Sequence, residues 1–257
     1  MRDRLSVLKR QIIEMSCRAQ EGHIASAFSI LDIVWVIYDS VLYDAEGNKN
    51  GDFILSKGHA SLALYAVLKE KGMIAQSDLD GFASYDSILG GHPDRTKVNG
   101  VIASTGSLGH GFPIAVGLAM GKRIQQTPGA TYVLIGDGEL NEGSMWEAVE
   151  LAGHHKLSSL CCIVDYNHST DRALDLGDIA AKFRPFGWDT LEVDGHDHEA
   201  LRRALAACGT GDRPLAIIAR TTKGKGVREM ENNPAWHHRF PTEEEKAAML
   251  RELGGEV

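Results

Sequence analysis

Two oxygen-bearing side chains each follow an apolar run near the middle of the chain. Asp137 stands directly after TYVLIG (131–136), and Asn167 follows LCCIVD (160–165) by two positions. Strands of a parallel sheet have this apolar composition, and ligands of open α/β sheets gather beyond the carboxyl ends of the strands. One carboxylate and one amide oxygen suit Mg²⁺, which usually completes its octahedron with waters and substrate phosphates.

The glycines around Asp137 indicate what such a metal ion would hold. Gly136 and Gly138 allow a tight turn and a close approach of the backbone to a ligand. The residues that follow open a predicted helix, whose amino end favours a phosphate. The pattern therefore predicts a diphosphate held by Mg²⁺. A turn with a helix-capping Asp and a loop Asn is the simpler alternative, but capping explains neither the pairing with Asn167 nor the spacing.

Histidines in small-residue segments form a second group that could do chemistry. Histidine is the side chain best suited to proton transfer near neutral pH. A single histidine of this kind is more often structural, whereas several in one chain indicate a site. They are His23 in QEGHIAS, His59 in LSKGHAS, His92 in GGHPD, and His237 and His238 in AWHHRF.

The elements that must position these side chains alternate along the chain. Predicted strands are 53–56, 101–104, 131–136, 160–165, 190–193 and 215–220. Predicted helices are about 4–20, 30–40, 60–71, 110–125, 142–154, 197–208 and 242–252. This alternation predicts one α/β domain over residues 1–257, with a parallel sheet of about five or six strands and helices on both faces.

Charge and composition exclude several classes of protein. The chain has 27 basic and 35 acidic residues, a net charge of −8, and no basic run, which argues against a nucleic-acid partner or a polybasic membrane anchor. Neither a secretory signal nor a membrane-spanning apolar stretch is evident. The four cysteines form no CxxC pair, so we expect reduced thiols and a cytoplasmic protein.

The whole pattern resembles the thiamine-diphosphate half of transketolases, most of all the separately encoded amino-terminal subunit of split transketolases. The motifs occur in family order from about residue 5 to residue 240. They are EGHIAS, SKGHAS, GGHP, STGSLGHG, GDGELNEG, DYN, FGWDTLEVDGHD, KGKGV and WHH. The resemblance implies the thiamine-diphosphate-binding fold.

The resemblance also implies roles for the matched residues. Asp137 and Asn167 would hold Mg²⁺, or Ca²⁺ or Mn²⁺ in its place, with the backbone carbonyl of Ser169 as the third protein ligand. Thiamine diphosphate would be bound by His59, Gly106, Leu108, Gly138, Glu139, Asn167 and Lys223. The residues expected to take part in catalysis, by binding the hydroxyls of a donor ketose and moving protons, are His23, His92, His237 and Glu142.

In this family a second, pyrimidine-binding domain supplies an activating glutamate, and the sequence ends at Val257 without such a domain. We therefore expect a separate carboxy-terminal partner chain and an α2β2 assembly. The expected reaction is transfer of a two-carbon ketol unit from a ketose, expected to be phosphorylated, to an aldose.

Three departures from the family pattern bear on the substrate. QEGHIAS replaces Gly-His-Pro-Gly, His110 stands where many members have Gln, and Asp171 and Arg172 follow Asn167 in place of Gln-x-x-Gly. A synthase that takes a 2-oxo acid donor is one alternative, and a non-catalytic scaffold subunit is another. A 2-oxo-acid dehydrogenase chain would not explain SKGHAS or WHH. A dinucleotide-binding module is disfavoured because no GxGxxG follows the first strand.

Overall fold

The computed structural model describes residues 2–44, 46–171 and 173–254, so Arg172 lies outside the described residues. These residues form two compact units. The helical unit comprises the described residues of Met1–Val34, Gly58–Ser104 and Thr222–Val257. The sheet unit comprises those of Trp35–Lys57 and Thr105–Thr221. The single thiamine-diphosphate domain expected over residues 1–257 stays a prediction.

The sheet unit is built on one parallel sheet of five strands within the described residues. They are β1 (Gly51–Leu55), β2 (Ala130–Gly136), β3 (Leu160–Tyr166), β4 (Asp189–Asp194) and β5 (Leu215–Arg220). The strand order is β1-β2-β3-β5-β4, and every neighbouring pair is parallel. The predicted α/β fold with a parallel sheet is therefore confirmed.

Burial explains the composition of the strands. Every residue of β3 is buried, as expected for a central strand that is covered on both faces, and its sequence LCCIVDY is accordingly apolar nearly throughout. The edge strand β4 is half-buried or exposed along its length and carries Asp, Thr and Glu. The helices of this unit are α5 (Gly111–Gln125), α6 (Gly143–His154), α7 (Ile179–Phe183) and α8 (His198–Ala206).

The register of the central strands brings their carboxyl ends to one edge of the sheet. Gly136 of β2 pairs with Asp165 of β3, and Asp165 pairs in turn with Ala219 of β5. The chain after β1 reaches the same edge, because the Ser56 N–H donates to the Leu134 carbonyl at 2.8 Å. Residues that follow these strands therefore lie close together.

The helical unit contains α1 (Arg2–Ala19), α2 (Ile24–Ser40) as far as Val34, α3 (Ser61–Glu70), α4 (Gln76–Asp80) and α9 (Glu243–Glu252). Helix α1 packs against α3 and α9. Thr242 caps α9: its Oγ1 accepts from the Glu245 N–H at 3.2 Å, and Glu245 Oε2 accepts from the Thr242 N–H at 2.8 Å. None of the described helices is long and apolar enough to cross a membrane.

One predicted strand is wrong. Residues 101–104 form no strand, because their polar groups are used in local turns instead. The Val101 N–H donates to the Val98 carbonyl at 3.2 Å, and the Ser104 hydroxyl bonds to Asp94. Gly100, with φ of +88°, precedes the segment in a turn conformation that a strand cannot continue. The other predicted strands and helices occur, although α2 begins at Ile24 rather than at residue 30.

A close contact in the sheet unit gives a test of the packing. A Cβ on Gly153 of α6 would lie 1.7 Å from the Phe186 carbonyl oxygen, whereas one on Gly117 of α5 would have no neighbour within 4 Å. We expect Gly153→Ala to lower the free energy of unfolding by about 2–3 kcal/mol through overpacking. Gly117→Ala is the matched control and should raise it by up to about 1 kcal/mol, because alanine favours helix. Urea unfolding monitored by circular dichroism measures both, and equal effects would contradict this packing.

Candidate functional site

The residues at the carboxyl ends of β2 and β3 form a cluster in the sheet unit, which we call the strand-edge cluster: Asp137, Asn167 and Ser169. Asp137 is the first residue after β2, and Asn167 is the first after β3. The Ser169 N–H donates to Asp137 Oδ2 at 2.8 Å and to Asn167 Oδ1 at 3.1 Å. Since one N–H contacts both oxygens, the structure brings the two predicted metal ligands together.

A hydrogen bond to the sheet orients the Asn167 amide. Its Nδ2 donates to Asp165 Oδ2 at 3.0 Å, so the nitrogen end of the amide is directed at β3. Its Oδ1 consequently faces Ser169, whose hydroxyl also donates to it. The end of the side chain that could bind a cation is therefore the end that lies beside Asp137.

The Asp137 carboxylate is 4% exposed, and its charge is only partly compensated. Burial raises its pKa, and the negative charge of Asp165 raises it further. Lys57 and the N–H groups of Gly138 and Ser169 act in the opposite direction but do not cancel the increase. A divalent cation at this position would remove the imbalance.

An ion pair that sequence reasoning missed lies next to this cluster. Lys57 Nζ is 2.5 Å from Asp165 Oδ2, and the two side chains are 3% and 0% exposed. The Thr221 hydroxyl donates to Asp165 Oδ1. A signal existed in the sequence: Asp165 is a charged residue inside an apolar run, and buried charges are paired. Its partner could not be identified from sequence, because Lys57 is 108 positions away.

Glu139 is fully buried, and burial raises its pKa. Its Oε1 accepts from the Ser56 hydroxyl at 2.6 Å and from the Gly109 N–H at 3.0 Å, while its Oε2 accepts from the Gly136 N–H at 3.0 Å. Glu139 thus joins the ends of β1 and β2 to the turn before α5. Both carboxylate oxygens already have donors within the protein, so this residue acts by holding the turn.

The turn that Glu139 holds carries Gly106 and Leu108, which are both half-buried. It is fixed at its other side as well, since the Ser144 hydroxyl donates to the Gly109 carbonyl at 2.8 Å. Gly109 has φ of +76°, and a Cβ there would lie 2.6 Å from Glu142 Cβ, so this position requires glycine. Glu142 itself is exposed at the start of α6.

Gly138 borders open space. An added Cβ at this position would meet no atom within 4 Å, and the residue lies directly beside the carboxylate of Asp137. Among the described residues, no three His, Cys, Asp or Glu side chains are grouped to hold a metal ion. The strand-edge cluster has the sparser donor set that suits Mg²⁺, namely one carboxylate and one amide oxygen, with room for phosphate oxygens.

The predicted histidines converge in the helical unit. We call His23, His59, His92, His237 and His238 the histidine cluster. The ring centroid of His23 is 5.0 Å from that of His59, 5.6 Å from that of His237 and 4.5 Å from that of His238. His238 has no role implied by the family resemblance, and its position beside His237 in WHH was the only sequence signal for it.

Three local contacts assemble this cluster from distant segments. His23 precedes α2 and forms a parallel bridge with Arg239, which brings the WHH segment to it. The Gly224 N–H donates to the Ala25 carbonyl at 3.0 Å and holds the segment after Lys223 at the start of α2. The GGHP segment is held on α3, because the Ser61 hydroxyl donates to the Gly91 carbonyl at 2.9 Å.

The electrostatics of the cluster keep His23 neutral. Burial lowers its pKa to about 4, and the nearby His238, His237, His92 and Lys223 add to the decrease. Lys223 Nζ lies 2.8 Å from Nδ1 of His237. The helical unit therefore presents an uncharged imidazole at His23 and a lysine-contacted imidazole at His237.

Comparison with known proteins shows the family to which the chain is similar. The family described as the thiamine diphosphate binding domain of transketolase matches residues 3–256. A protein of Phocaeicola vulgatus named as one of the subunits of apulose-4-phosphate transketolase is 35% identical over 259 residues, which cover 97% of this chain and 92% of that protein. A protein of Rhodococcoides fascians named ferredoxin fas2 is 44% identical over 211 residues, which cover 80% of this chain and 69% of that protein.

Solved structures extend the comparison to the fold. Transketolase from Campylobacter jejuni superimposes with a TM-score of 0.88 at 30% identity, and the match covers 99% of this chain and 43% of that one. Transketolase from Leishmania mexicana gives a TM-score of 0.88 at 28% identity and 42% coverage of its chain. The chain thus spans less than half the length of these solved transketolases. It belongs to the transketolase family and corresponds to the family's thiamine-diphosphate-binding domain.

Proposed function

We propose that this chain is the thiamine-diphosphate- and Mg²⁺-binding subunit of a two-chain, cytoplasmic, transketolase-type transferase. The enzyme would transfer a two-carbon ketol unit from a phosphorylated ketose to an aldose. The observation that carries the proposal is the convergence of Asp137 Oδ2 and Asn167 Oδ1 on one N–H at the carboxyl ends of neighbouring strands. That edge of an open α/β sheet is where ligands bind.

The donor atoms fit the metal ion. Carboxylate and amide oxygens suit Mg²⁺, and Ca²⁺ or Mn²⁺ accepts the same oxygens. Asp137 and Asn167 would supply two ligands, and the Ser169 carbonyl would supply the third. Ser169 contacts both side chains through its N–H. The buried, partly uncompensated carboxylate of Asp137 is a further reason to expect a cation here.

Some of the predicted cofactor residues would contact thiamine diphosphate directly, and one would act indirectly by supporting the others. Gly138, bordered by open space, would approach the diphosphate through its backbone. Gly106 and Leu108 would position the rings of thiamine diphosphate, and His59 and Lys223 would assist in binding the diphosphate. Glu139 would support binding indirectly, because its own oxygens already accept three hydrogen bonds from the protein.

Thiamine diphosphate, when bound, supplies a carbanion and an electron sink for cleaving a carbon–carbon bond. The histidines would then move protons on the substrate hydroxyls. A neutral His23 can accept a proton, and its lowered pKa keeps it in that state near pH 7. With the Lys223 ammonium donating to Nδ1, a neutral His237 carries its proton on Nε2 and can donate it. His92 would bind a donor hydroxyl.

The share of each relative's length that this chain matches supports the proposal of a second chain. Two proteins named as subunits of apulose-4-phosphate transketolase are matched over 92% and 94% of their length, whereas the solved transketolases are matched over less than half. The partner would supply the activating glutamate and the pyrimidine-binding site in an α2β2 assembly. Glu142 would join a proton path between active sites, and its exposure is compatible with contact to another chain.

The name ferredoxin, carried by one relative, finds no support in the cysteines of this chain. Iron–sulfur clusters are held by several cysteine thiolates. Here Cys161 and Cys162 are adjacent on β3 and point to opposite faces of the sheet, and Cys17 and Cys208 are also free.

The experiment that tests the proposed function begins with the tagged chain captured from its native cells in the presence of Mg²⁺. Co-purifying polypeptides and bound thiamine diphosphate are quantified, and the complex is given phosphorylated ketoses with aldose acceptors. We expect a stoichiometric partner, bound cofactor and a new ketose product. Release of carbon dioxide from a 2-oxo acid would instead establish the synthase alternative. Bound cofactor without turnover of either donor class would establish a scaffold subunit.

Gly138 gives a test of the proposed diphosphate contact. We expect Gly138→Ala to weaken thiamine diphosphate binding at saturating Mg²⁺ at least about tenfold, since the new methyl group would occupy the space of the phosphate. The unfolding midpoint without cofactor should not fall, because an added Cβ meets no protein atom. Gly143→Ala, which is equally unhindered, is the matched control and should bind normally. Isothermal titration calorimetry on each variant in complex with the captured partner measures the affinities, and normal binding by Gly138→Ala would contradict the contact.

His23 gives a test of the proposed proton acceptor. We expect its imidazole to titrate at about pH 4, well below the ordinary value of 6.5, in an NMR titration of the folded chain. The unfolded chain binds this proton first, so the folded protein should lose stability as the pH falls from about 6.5 towards 4. His23→Gln should reduce that loss. A His23 resonance that titrates near 6.5 would show that the imidazole is charged too readily to serve as a neutral acceptor.

A further inference from the structure

We propose that Lys57, Asp165 and Thr221 form a positioning device that sets the orientation of the Asn167 amide towards the metal ion. The inference rests on the proposed function, because it assigns a purpose to residues around the proposed Mg²⁺ ligand. The three residues act through Asn167 rather than by touching the metal ion, and we call them the orienting triad.

The two ends of the Asn167 amide differ in what they can bind. The carboxamide of asparagine has nearly the same shape in its two flipped orientations, but only one of them directs oxygen at a cation. Asp165 Oδ2 lies 3.0 Å from Asn167 Nδ2. An ionised carboxylate can only accept hydrogen bonds, so it stabilises the orientation that directs Nδ2 at β3 and Oδ1 at Asp137.

The other two members of the triad keep Asp165 an acceptor. Lys57 Nζ donates to Oδ2 at 2.5 Å, and the Thr221 hydroxyl donates to Oδ1. The carboxylate therefore accepts from both of these groups as well as from Asn167 Nδ2. A neutral carboxamide at position 165 would instead present a donor to at least one of these partners. Its neutral oxygen would also accept from Asn167 more weakly than a carboxylate does, so it would hold the amide orientation less firmly.

The fold supplies these three side chains from three strands. Lys57 follows β1, Asp165 lies in β3, and Thr221 follows β5. The lysine reaches β3 by passing alongside Gly136 of β2, where a Cβ would lie 3.7 Å from Lys57 Cδ. A buried carboxylate without a counter-ion is costly, and Lys57 supplies the counter-ion to Asp165, which is 0% exposed.

A second ion pair in the sheet unit provides a control that distinguishes a loss of stability from a loss of positioning of Asn167. Lys122 Nζ lies 2.6 Å from Asp52 Oδ2, with exposures of 10% and 15%. Asp52 pairs with Thr131 at the start of β2, far from the carboxyl ends of the strands. Lys122→Met therefore removes a comparable lysine–aspartate pair without altering the surroundings of Asn167.

The test measures Mn²⁺ binding by the chain in complex with its captured partner and thiamine diphosphate, using the electron paramagnetic resonance signal of free Mn²⁺. The variants are Asp165→Asn and the double variant Lys57→Met/Asp165→Asn, which removes both charges of the buried pair and so protects folding. We expect both to raise the Kd for Mn²⁺ about 10–100-fold, as is usual when a partner of a metal ligand is removed. Lys122→Met should bind Mn²⁺ within about twofold of the wild type, even if urea unfolding shows that it is less stable.

Two variants at Thr221, one without a hydroxyl and one with it, are compared in Mn²⁺ binding. A loss of stability alone would not produce the expected difference between them. Thr221→Val removes the hydroxyl and should weaken Mn²⁺ binding, whereas Thr221→Ser keeps the donor to Asp165 Oδ1 and should restore it. Wild-type affinity in the folded double variant would overturn the inference, while the proposed function would stand. Absence of cofactor-dependent Mn²⁺ binding by the wild-type complex would overturn the proposed function, and the inference with it.

Discussion

The parallel pairing of β2 with β3 is the constraint on which the strand-edge cluster depends. Gly136 lies opposite Asp165, so Asp137 and Asn167 leave the sheet at the same edge, one and two positions beyond that pair. A shift of the register by one residue would direct alternate side chains to the other face and separate the two oxygens. Both strands are buried along almost their whole length, so this pairing lies in the core of the sheet unit.

Charged groups below this edge complete the arrangement. Glu139, Asp165 and Lys57 are all nearly or fully buried, and each has hydrogen-bond partners within the sheet unit. Such groups cost desolvation energy that apolar residues would not, so they contribute little to net stability. They provide geometry instead: Glu139 fixes the turn before α5, and Asp165 fixes Asn167. Asp137 keeps a partly uncompensated charge, at the position where we place the cation.

The sequence was sufficient to predict the strands that carry this edge, because burial on both faces leaves an apolar run that can be recognised locally. It also indicated Asp137 and Asn167, since their positions depend only on where two strands end. The prediction of a strand at 101–104 was wrong because four mostly apolar residues resemble a short buried strand. In the structure, turns on both sides take up hydrogen-bonding groups of this segment. Short runs do not distinguish these outcomes.

The orienting triad and the histidine cluster depend on distant parts of the chain and could not be derived in this way. Lys57 meets Asp165 only because β1, β2 and β3 are adjacent, and that strand order is a property of the whole sheet. Family resemblance indicated His23, His59 and His237 without giving their spacing. Their ring distances, and the lowered pKa of His23 that follows from burial and from the nearby histidines and Lys223, required the fold.

The most direct measurement is a crystal structure of the chain in complex with its captured partner, grown with thiamine diphosphate and Mn²⁺, with the metal ion located by anomalous scattering. We predict one strong peak coordinated by the Asp137 carboxylate and Asn167 Oδ1, with diphosphate oxygens completing the shell beside Gly138. A peak at any other group of side chains, or bound cofactor whose diphosphate lies away from the carboxyl ends of β2 and β3, would contradict the proposed site.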